Sequence, residues 1–203
     1  MDIGSKDVEI ETLKEELYYS NDYYMVTVEL ENEATIEITL KEYLKGCLAG
    51  VYYAGIELET LKALAVLYRT YAFREMSEKR KILAFNEFIN YRPLSYYKLS
   101  WFSEFDDIEN KLEIAVKDTD CLFLTYNQYY ILPFSHYSNY GKAIESSQYA
   151  YLSSVSSIWD MASPFYVNIR DYTYKELSKV LKSNITSDSV IKAISVDKNG
   201  FVE

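Results

Sequence analysis

Proton transfer, nucleophilic attack and metal binding each need particular side chains, and this sequence offers few in recognisable patterns. Its one histidine is His136 and its two cysteines are Cys47 and Cys121. A serine–histidine triad would have to use His136, yet no nucleophile stands at motif spacing from it. The sequence contains no Gly-rich phosphate loop, paired CxxC, HExxH or GxSxG. His136, Cys47 and Cys121 lie far apart, so no short spacing marks a zinc site, and each cysteine reads as a small apolar core residue. Carboxylates are plentiful. A catalytic acid needs partial desolvation to keep its proton, and Glu57, Glu59 and Glu75 read instead as helix-terminal or solvated charges.

The composition narrows the classes further. A net charge of -10 without any basic run excludes generic nucleic-acid binding, which needs a Lys/Arg surplus on some face. Twenty-two tyrosines stand against six glycines, and each tyrosine carries a flat apolar face with a hydroxyl, a combination used on carbohydrate and peptide surfaces. No stretch approaches the roughly 20 apolar residues that span a bilayer, and no charged segment followed by an apolar run marks a secretory leader. No Pro/Gly/Ser-rich linker divides the 203 residues, so one domain over 1–203 is expected. Two lobes fit within it, one helical over about 40–118 and one β-rich over about 119–203 together with the N-terminal strands.

The elements that must position any site follow from periodicity. Val8 to Leu13, Tyr24 to Leu30 and Ala34 to Ile38 alternate as strands, with Ser20-Asn21-Asp22 as turn chemistry. Thr39 followed by Glu42 has capping-box spacing for a helix from Leu40 to about Gly50. A long helix from near Ile56 to Arg74 is apolar or small on nearly every side, which predicts burial all round. Lys79 to Asn90 predicts an amphipathic helix stopped by Tyr91-Arg92-Pro93, and Glu104 to Val116 another. Cys121 to Tyr126 and Tyr129 to Phe134 predict a hairpin across Asn127-Gln128. A polar loop from Ser135 to Gln148, a short strand over Tyr151 to Val155, a helix capped by Thr173 and a strand over Val190 to Val196 complete the chain. Helices and strands come in blocks, so the expected class is α+β: a buried central helix with surrounding helices and mixed or antiparallel strands.

The stretch LKEYLKGCLAGVYYAGIELETLKALAVLYRTYAF, Leu40 to Phe73, resembles the signature of the stage II sporulation protein D (SpoIID) family, which includes amidase-enhancer LytB-like domains. The family pattern runs roughly LEEYLKGVVAGEMP, a linker, then LEALKAQAVAARTYA. Glu42, Tyr43, Leu44, Lys45, Gly46 and Ala49 match the first half; Leu58, Glu59, Leu61, Lys62, Ala63, Ala65, Val66 and Arg69 to Ala72 match the second. Ala115-Val116 with Thr119, the hairpin through Ile131, His136 to Lys142, the Tyr151-Leu152, Val155, Asp160 run and Asn199-Gly200 are similar to later family segments, in order.

The resemblance implies a bacterial cell-envelope protein of sporulation and engulfment, acting outside the cytoplasm with its signal or anchor absent from this chain. It also implies a lytic transglycosylase in which the glutamate of EMP works first as acid and then as base. Val51 occupies that position here, and Tyr52-Tyr53 replace Met-Pro. The resemblance therefore implies a degenerate member with no catalytic residue carried over. Its remnant cleft, with Tyr52, Tyr53, Tyr97, His136, Tyr137, Asn139 and Tyr140, would bind peptidoglycan glycan strands or another cell-wall protein. Two alternatives accompany this expectation: a transglycosylase with a relocated acid, Glu57 or Glu59, and a structural scaffold in a wall-remodelling complex. No cofactor is expected. Some members hold zinc through a histidine of the second loop and cysteines, and only His136 survives here, so no metal is expected either.

Overall fold

The computed structural model describes residues 9–12, 20–77, 82–83, 89, 91–136, 139, 141–143, 145–163 and 171–189. The chain divides into two compact units, Met1–Ser135 and His136–Glu203. The class is α+β.

The described residues of the first unit form two small sheets. In one, strand β1 (Glu9–Thr12) pairs antiparallel with β5 (Leu122–Tyr126), which in turn pairs antiparallel with β6 (Tyr129–Tyr130). The register sets Glu9 opposite Thr125 and Thr12 opposite Leu122. The β5–β6 turn holds both central residues in the left-handed region, Asn127 at φ 52° and Gln128 at φ 67°, the geometry that matches strand twist in a two-residue hairpin. In the other sheet, β2 (Met25–Glu29) lies between β3 (Thr35–Thr39), antiparallel, and β4 (Ile82–Leu83), parallel. Val26 and Val28 of β2 are buried while Met25 is exposed, as the two-residue period requires.

Helix α1 (Leu40–Val51) starts on the expected capping box. The Glu42 backbone N–H donates to Thr39 Oγ1 at 3.2 Å, and Glu42 Oε2 accepts from the Thr39 N–H at 3.0 Å. Leu40, Tyr43, Leu44, Cys47 and Leu48 form its buried stripe. Helix α2 (Leu58–Ser77) begins two residues later than expected, because Gly55 at φ 88° and the bond from Ile56 N–H to the Tyr53 carbonyl make a turn that buries Ile56. Helix α4 (Phe105–Asp118) packs against both α1 and α2, and a short helical turn, α3 (Lys98–Trp101), precedes it.

Polar side chains tie these helices together at their seams. Lys45, nearly buried, donates to Glu109 at 2.8 Å and Glu113 at 3.0 Å, and Lys41 adds a second ion pair to Glu113. Burial pushes the Glu113 carboxyl up, but the hydrogen bonds and charges of Lys41 and Lys45 outweigh it and hold it below the usual range. A carboxyl with a lowered folded value contributes stability above its unfolded value and loses it as the pH falls through the folded one. Glu113→Gln is therefore expected to cost about 1 kcal/mol at pH 7 and progressively less on acidification, read as urea midpoints from pH 7 down to pH 3. An undiminished cost at pH 3 would show that charge is not what Glu113 contributes.

Arg69 lies at the centre of the unit with its side chain wholly enclosed. Its Nε donates to Asn21 Oδ1 at 3.1 Å, Nη1 to the Leu122 carbonyl at 3.2 Å, and Nη2 to the Val116 carbonyl at 3.2 Å and Thr119 Oγ1 at 3.3 Å. One turn of the N-terminal region, the end of α4 and the start of β5 thus converge on one guanidinium. Thr70 continues the seam, since its Oγ1 accepts the Leu124 N–H of β5 at 2.9 Å. Desolvation brings Arg69 down to about 10, with the Asp120 charge opposing, so the group is charged at neutral pH.

Several expectations need correction. The apolar run in α2 is not buried on every side: Ala63 is exposed and Leu64, Val66 and Leu67 are half-buried, because α1, α4 and the β5–β6 hairpin cover only part of its girth. The helix expected over Lys79 to Asn90 gives way at Ile82–Leu83 to β4, since β2 offers a free edge there and Leu83 gains burial in the core. The second hairpin strand ends at Tyr130 rather than Phe134; only Ile131 N–H continues the pairing, to the Leu124 carbonyl, before Pro133 removes a donor. Tyr151 to Val155 is no strand, and extended pairing there shrinks to an isolated Lys142–Ser156 bridge in the second unit. The expected strand over Val190 to Val196 lies outside the described residues.

The described part of the second unit is mostly irregular, with one 3-10 turn at Ile158–Ala162 and one helix, α5 (Tyr174–Leu181). Thr173 and Glu176 form a capping box on α5, matching the expected start.

Candidate functional site

Val51 ends α1. It is half-buried and packs against the core, and the chain then turns extended at Tyr52. Tyr52 meets the Trp101 ring edge-on at a centroid distance of 5.5 Å. Trp101 stacks on Tyr97 at 4.9 Å, and Tyr97 meets Tyr96 at 5.1 Å. The i, i+4 spacing of Tyr97 and Trp101 explains their stacking, because the chain is helical there. The arrangement is a row of four aromatic rings leading away from the end of α1. Burial pushes the Tyr97 hydroxyl above its ordinary value, with the Arg92 charge opposing. Tyr53, next in sequence, is exposed.

In the second unit, His136, Asn139, Ser157 and Asp160 form one polar cluster. Asn139 Nδ2 lies 2.8 Å from His136 Nε2, Ser157 Oγ donates to Asn139 Oδ1 at 2.6 Å, and the Asn139 N–H donates to Asp160 Oδ2 at 3.0 Å. With the amide donating, His136 Nε2 is an acceptor and the neutral ring carries its proton on Nδ1. Asp160 Oδ2 stands 3.8 Å from the same Nε2, close enough to pair with the ring in its charged form.

Of the sequence-predicted residues, Tyr52, Tyr53 and Tyr97 therefore lie in the first unit and His136 and Asn139 in the second. Tyr137 and Tyr140 lie outside the described residues. Sequence reading missed Trp101 and Tyr96 as parts of the aromatic row, and the roles of Ser157 and Asp160 as partners of Asn139. The recurrence of aromatic residues four or five apart from Tyr96 to Trp101 was a usable signal for the first pair. Nothing local marks the second.

The two alternative acids have ordinary settings. Glu57 is exposed, and its carbonyl accepts from the Leu61 N–H at the start of α2. The Glu59 side chain is 81% exposed and pairs with Lys62 at 3.0 Å. Both carry the favourable charge sign for a helix start.

The residues present do not fit a zinc site. Among the described residues no three His, Cys, Asp or Glu side chains are grouped to hold a metal ion, and His136 Nε2 is engaged by Asn139. Cys47 and Cys121 are buried, and burial pushes the Cys47 thiol far up, away from the thiolate a metal requires. No described helix is long and apolar enough to cross a membrane.

Comparison with known proteins places this geometry. The family model described as "Stage II sporulation protein" (SpoIID) matches residues 29–126, from the end of β2 to the end of β5. The stage II sporulation protein D of Bacillus subtilis (strain 168) is 27% identical over 182 residues, covering 83% of this chain and 53% of that protein. The stage II sporulation protein D of Bacillus amyloliquefaciens is 28% identical over 182 residues, with the same coverage of 83% and 53%. The chain thus spans about half the length of these relatives. The matched region includes α1, whose end lies beside the aromatic row, and α2, α4 and β5, which meet around Arg69; over that region the chain is similar to the SpoIID family.

Proposed function

We infer that this chain is a cell-envelope protein of the sporulation system that binds peptidoglycan glycan without cleaving it. The observation that carries the reading is the end of α1. Where the family resemblance puts a proton-donating glutamate, Val51 has no proton to give, and an aromatic row from Tyr52 through Trp101 to Tyr97 follows it. Aromatic faces suit the apolar faces of sugar rings, whose C–H groups stack on them. Glu57 and Glu59 lack the desolvation that an acid in a glycosidase-type reaction needs, which disfavours a relocated catalyst.

The test is incubation with purified peptidoglycan sacculi. The protein is expected to sediment with the wall and to release no anhydro-muropeptides. Tyr52→Ala is expected to lower retention about tenfold, equivalent to about 1.4 kcal/mol. Release of anhydro-muropeptides overturns the non-catalytic reading, and loss of that release in a Glu57→Gln, Glu59→Gln double variant would assign the acid.

A second reading, a scaffold that docks another wall protein, has its own observation. Leu99 is 91% exposed and Phe102 82% exposed at the tip of α3, with Phe102 held at φ 40°. Apolar side chains displayed this way on strained backbone suit a protein contact. Copurification of a wall protein that is lost in Leu99→Ser, together with no sedimentation on bare sacculi, would favour it over glycan binding.

A further inference from the structure

Beyond the aromatic row, the first unit contains a groove of about 380 Å³ lined by Leu30, Glu31, Asn32, Tyr91, Arg92, Pro93 and Tyr96. One wall is the turn between β2 and β3, and the other is the segment that runs into the 3-10 turn at Leu94–Tyr97. The groove is braced from below. Tyr91 is buried and stacks on Tyr43 of α1 at a centroid distance of 5.8 Å, and Gly46 of α1 leaves room for it. The far wall is fixed as well, because Asn32 Oδ1 accepts the Ala34 N–H at 3.2 Å and Leu30 N–H bonds the Ala34 carbonyl at 2.8 Å.

The chemistry of the lining is specific. The Arg92 guanidinium lies 4.5 Å from the centre of the Tyr96 ring, and Nη2 pairs with Glu31 Oε2 at 2.7 Å. Its charge is therefore matched inside the groove, and its plane is held by the ring below it. An anion would have to displace Glu31 and approach a chain of net charge -10. A wholly apolar ligand would bury the Arg92–Glu31 pair without replacing the water bonds of either group. An extended peptide that adds to a sheet needs a free strand edge, and the groove is lined by the β2–β3 turn and residues 91–96, with no strand residue among them. A neutral saccharide meets every condition: an apolar ring face for Tyr96, and vicinal hydroxyls for the planar guanidinium and carboxylate. The size lies in the range of pockets that take small ligands.

We propose that the Glu31–Arg92–Tyr96 groove is a second saccharide site, joined to the end of α1 by the aromatic row through Tyr97 and Trp101. The choice of a wall sugar as occupant rests on the glycan-binding reading above. The site itself rests on Glu31 and Arg92, which that reading does not use, and on Tyr96 at the far end of the aromatic row.

The probe is a soluble N-acetylglucosamine oligomer, titrated into the 15N-labelled full chain. Amide shifts are expected at Leu30 to Asn32, at Arg92 and at Leu94 to Tyr96. Tyr96→Ala and Arg92→Ala are each expected to weaken binding about tenfold, with unchanged circular dichroism because both side chains lie at the surface of the groove. Shifts confined to Tyr52 and Tyr53, with affinity lost in Tyr52→Ala but kept in Tyr96→Ala, overturn this site and leave the glycan reading standing. Shifts in the groove with Tyr52→Ala binding normally uphold this site and overturn the role given to the end of α1. No shift anywhere with the oligomer overturns both, as would groove shifts seen only with a wall stem-peptide probe.

Discussion

Arg69→Ala is expected to remove about 4 kcal/mol of stability, the largest effect of any single substitution proposed for this protein. The Asn21 side-chain oxygen, the Val116 and Leu122 carbonyls and the Thr119 hydroxyl would lose their shared donor inside the core. Each unpaired buried acceptor costs on the order of 1–3 kcal/mol, partly offset where a neighbour or water takes over. Val116 and Thr119 have such neighbours, since Asn21 Nδ2 also donates to the Val116 carbonyl at 3.1 Å and Thr119 Oγ1 bonds the Ala115 carbonyl at 2.9 Å. Asn21 Oδ1 and the Leu122 carbonyl are the acceptors left most exposed to the loss. Lysine keeps the charge but has one nitrogen where three are used, so Arg69→Lys should recover no more than about half. Urea denaturation reads both. With a slope of about 2 kcal/mol per molar, the alanine midpoint falls by about 2 M. A fall below about 0.5 M would mean that the guanidinium is a bystander to the fold.

The second large effect belongs to Gly46, in the middle of α1. By intrinsic propensity alone, Gly46→Ala in a helix interior should stabilise by about 1 kcal/mol. Here the sign reverses. A Cβ at residue 46 would stand 2.4 Å from the Tyr91 ring and 2.6 Å from the Arg92 carbonyl oxygen. A ring can tilt, but the carbonyl belongs to the backbone of the groove wall, and overpacking of this kind costs about 1–3 kcal/mol. With two contacts so short, the upper end applies, so a net loss of about 2 kcal/mol is expected. Tyr91→Ala in the same chain should relieve only part of it, because the Arg92 carbonyl stays in place. Calorimetric melting of the single and double variants measures the coupling. A Gly46→Ala protein that melts higher than wild type would refute the close packing of α1 on residues 91–92.

These two residues show what a linear reading can and cannot extract. Capping boxes at Thr39 and Thr173 were legible because both partners lie within three residues, and the period of α4 because its burial is set by one amphipathic stripe. Asn127-Gln128 was legible as a turn although neither residue is glycine, because apolar strands flank it. By contrast, Ile82, Phe85 and Ile89 have helical spacing, and only the presence of a β2 edge decides that Ile82–Leu83 is extended. A strand two residues long has no pattern of its own. Arg69 looked like one more letter of the family signature; its partners are 47 to 53 residues away, and two of them are main-chain carbonyls, which every residue possesses.

The candidate site was legible unevenly for the same reason. Val51 drew notice only through the family resemblance, since a valine at a helix end announces nothing. Tyr52 and Tyr97 were named, yet the ring between them is Trp101, and their association depends on how α1 and the segment before α4 meet. Arg92 read as part of a helix stop. Its pairing with Glu31 spans 61 positions, inferred from no motif and visible only once β2, β3 and α1 are packed.

The pairing of β1 with β5 carries a consequence for the order in which the molecule is assembled. Glu9 lies opposite Thr125 and Thr12 opposite Leu122, so more than a hundred residues intervene between partner strands. The β2–β3 hairpin closes locally, across a turn of five residues, and needs nothing that follows it. During synthesis the first strand has no edge to join until β5 has left the ribosome, and the guanidinium of Arg69 waits for the same segment. Such long-range closure raises contact order and slows folding. The chain is thus built from its middle outward, with its N-terminal strand among the last pieces to be locked in.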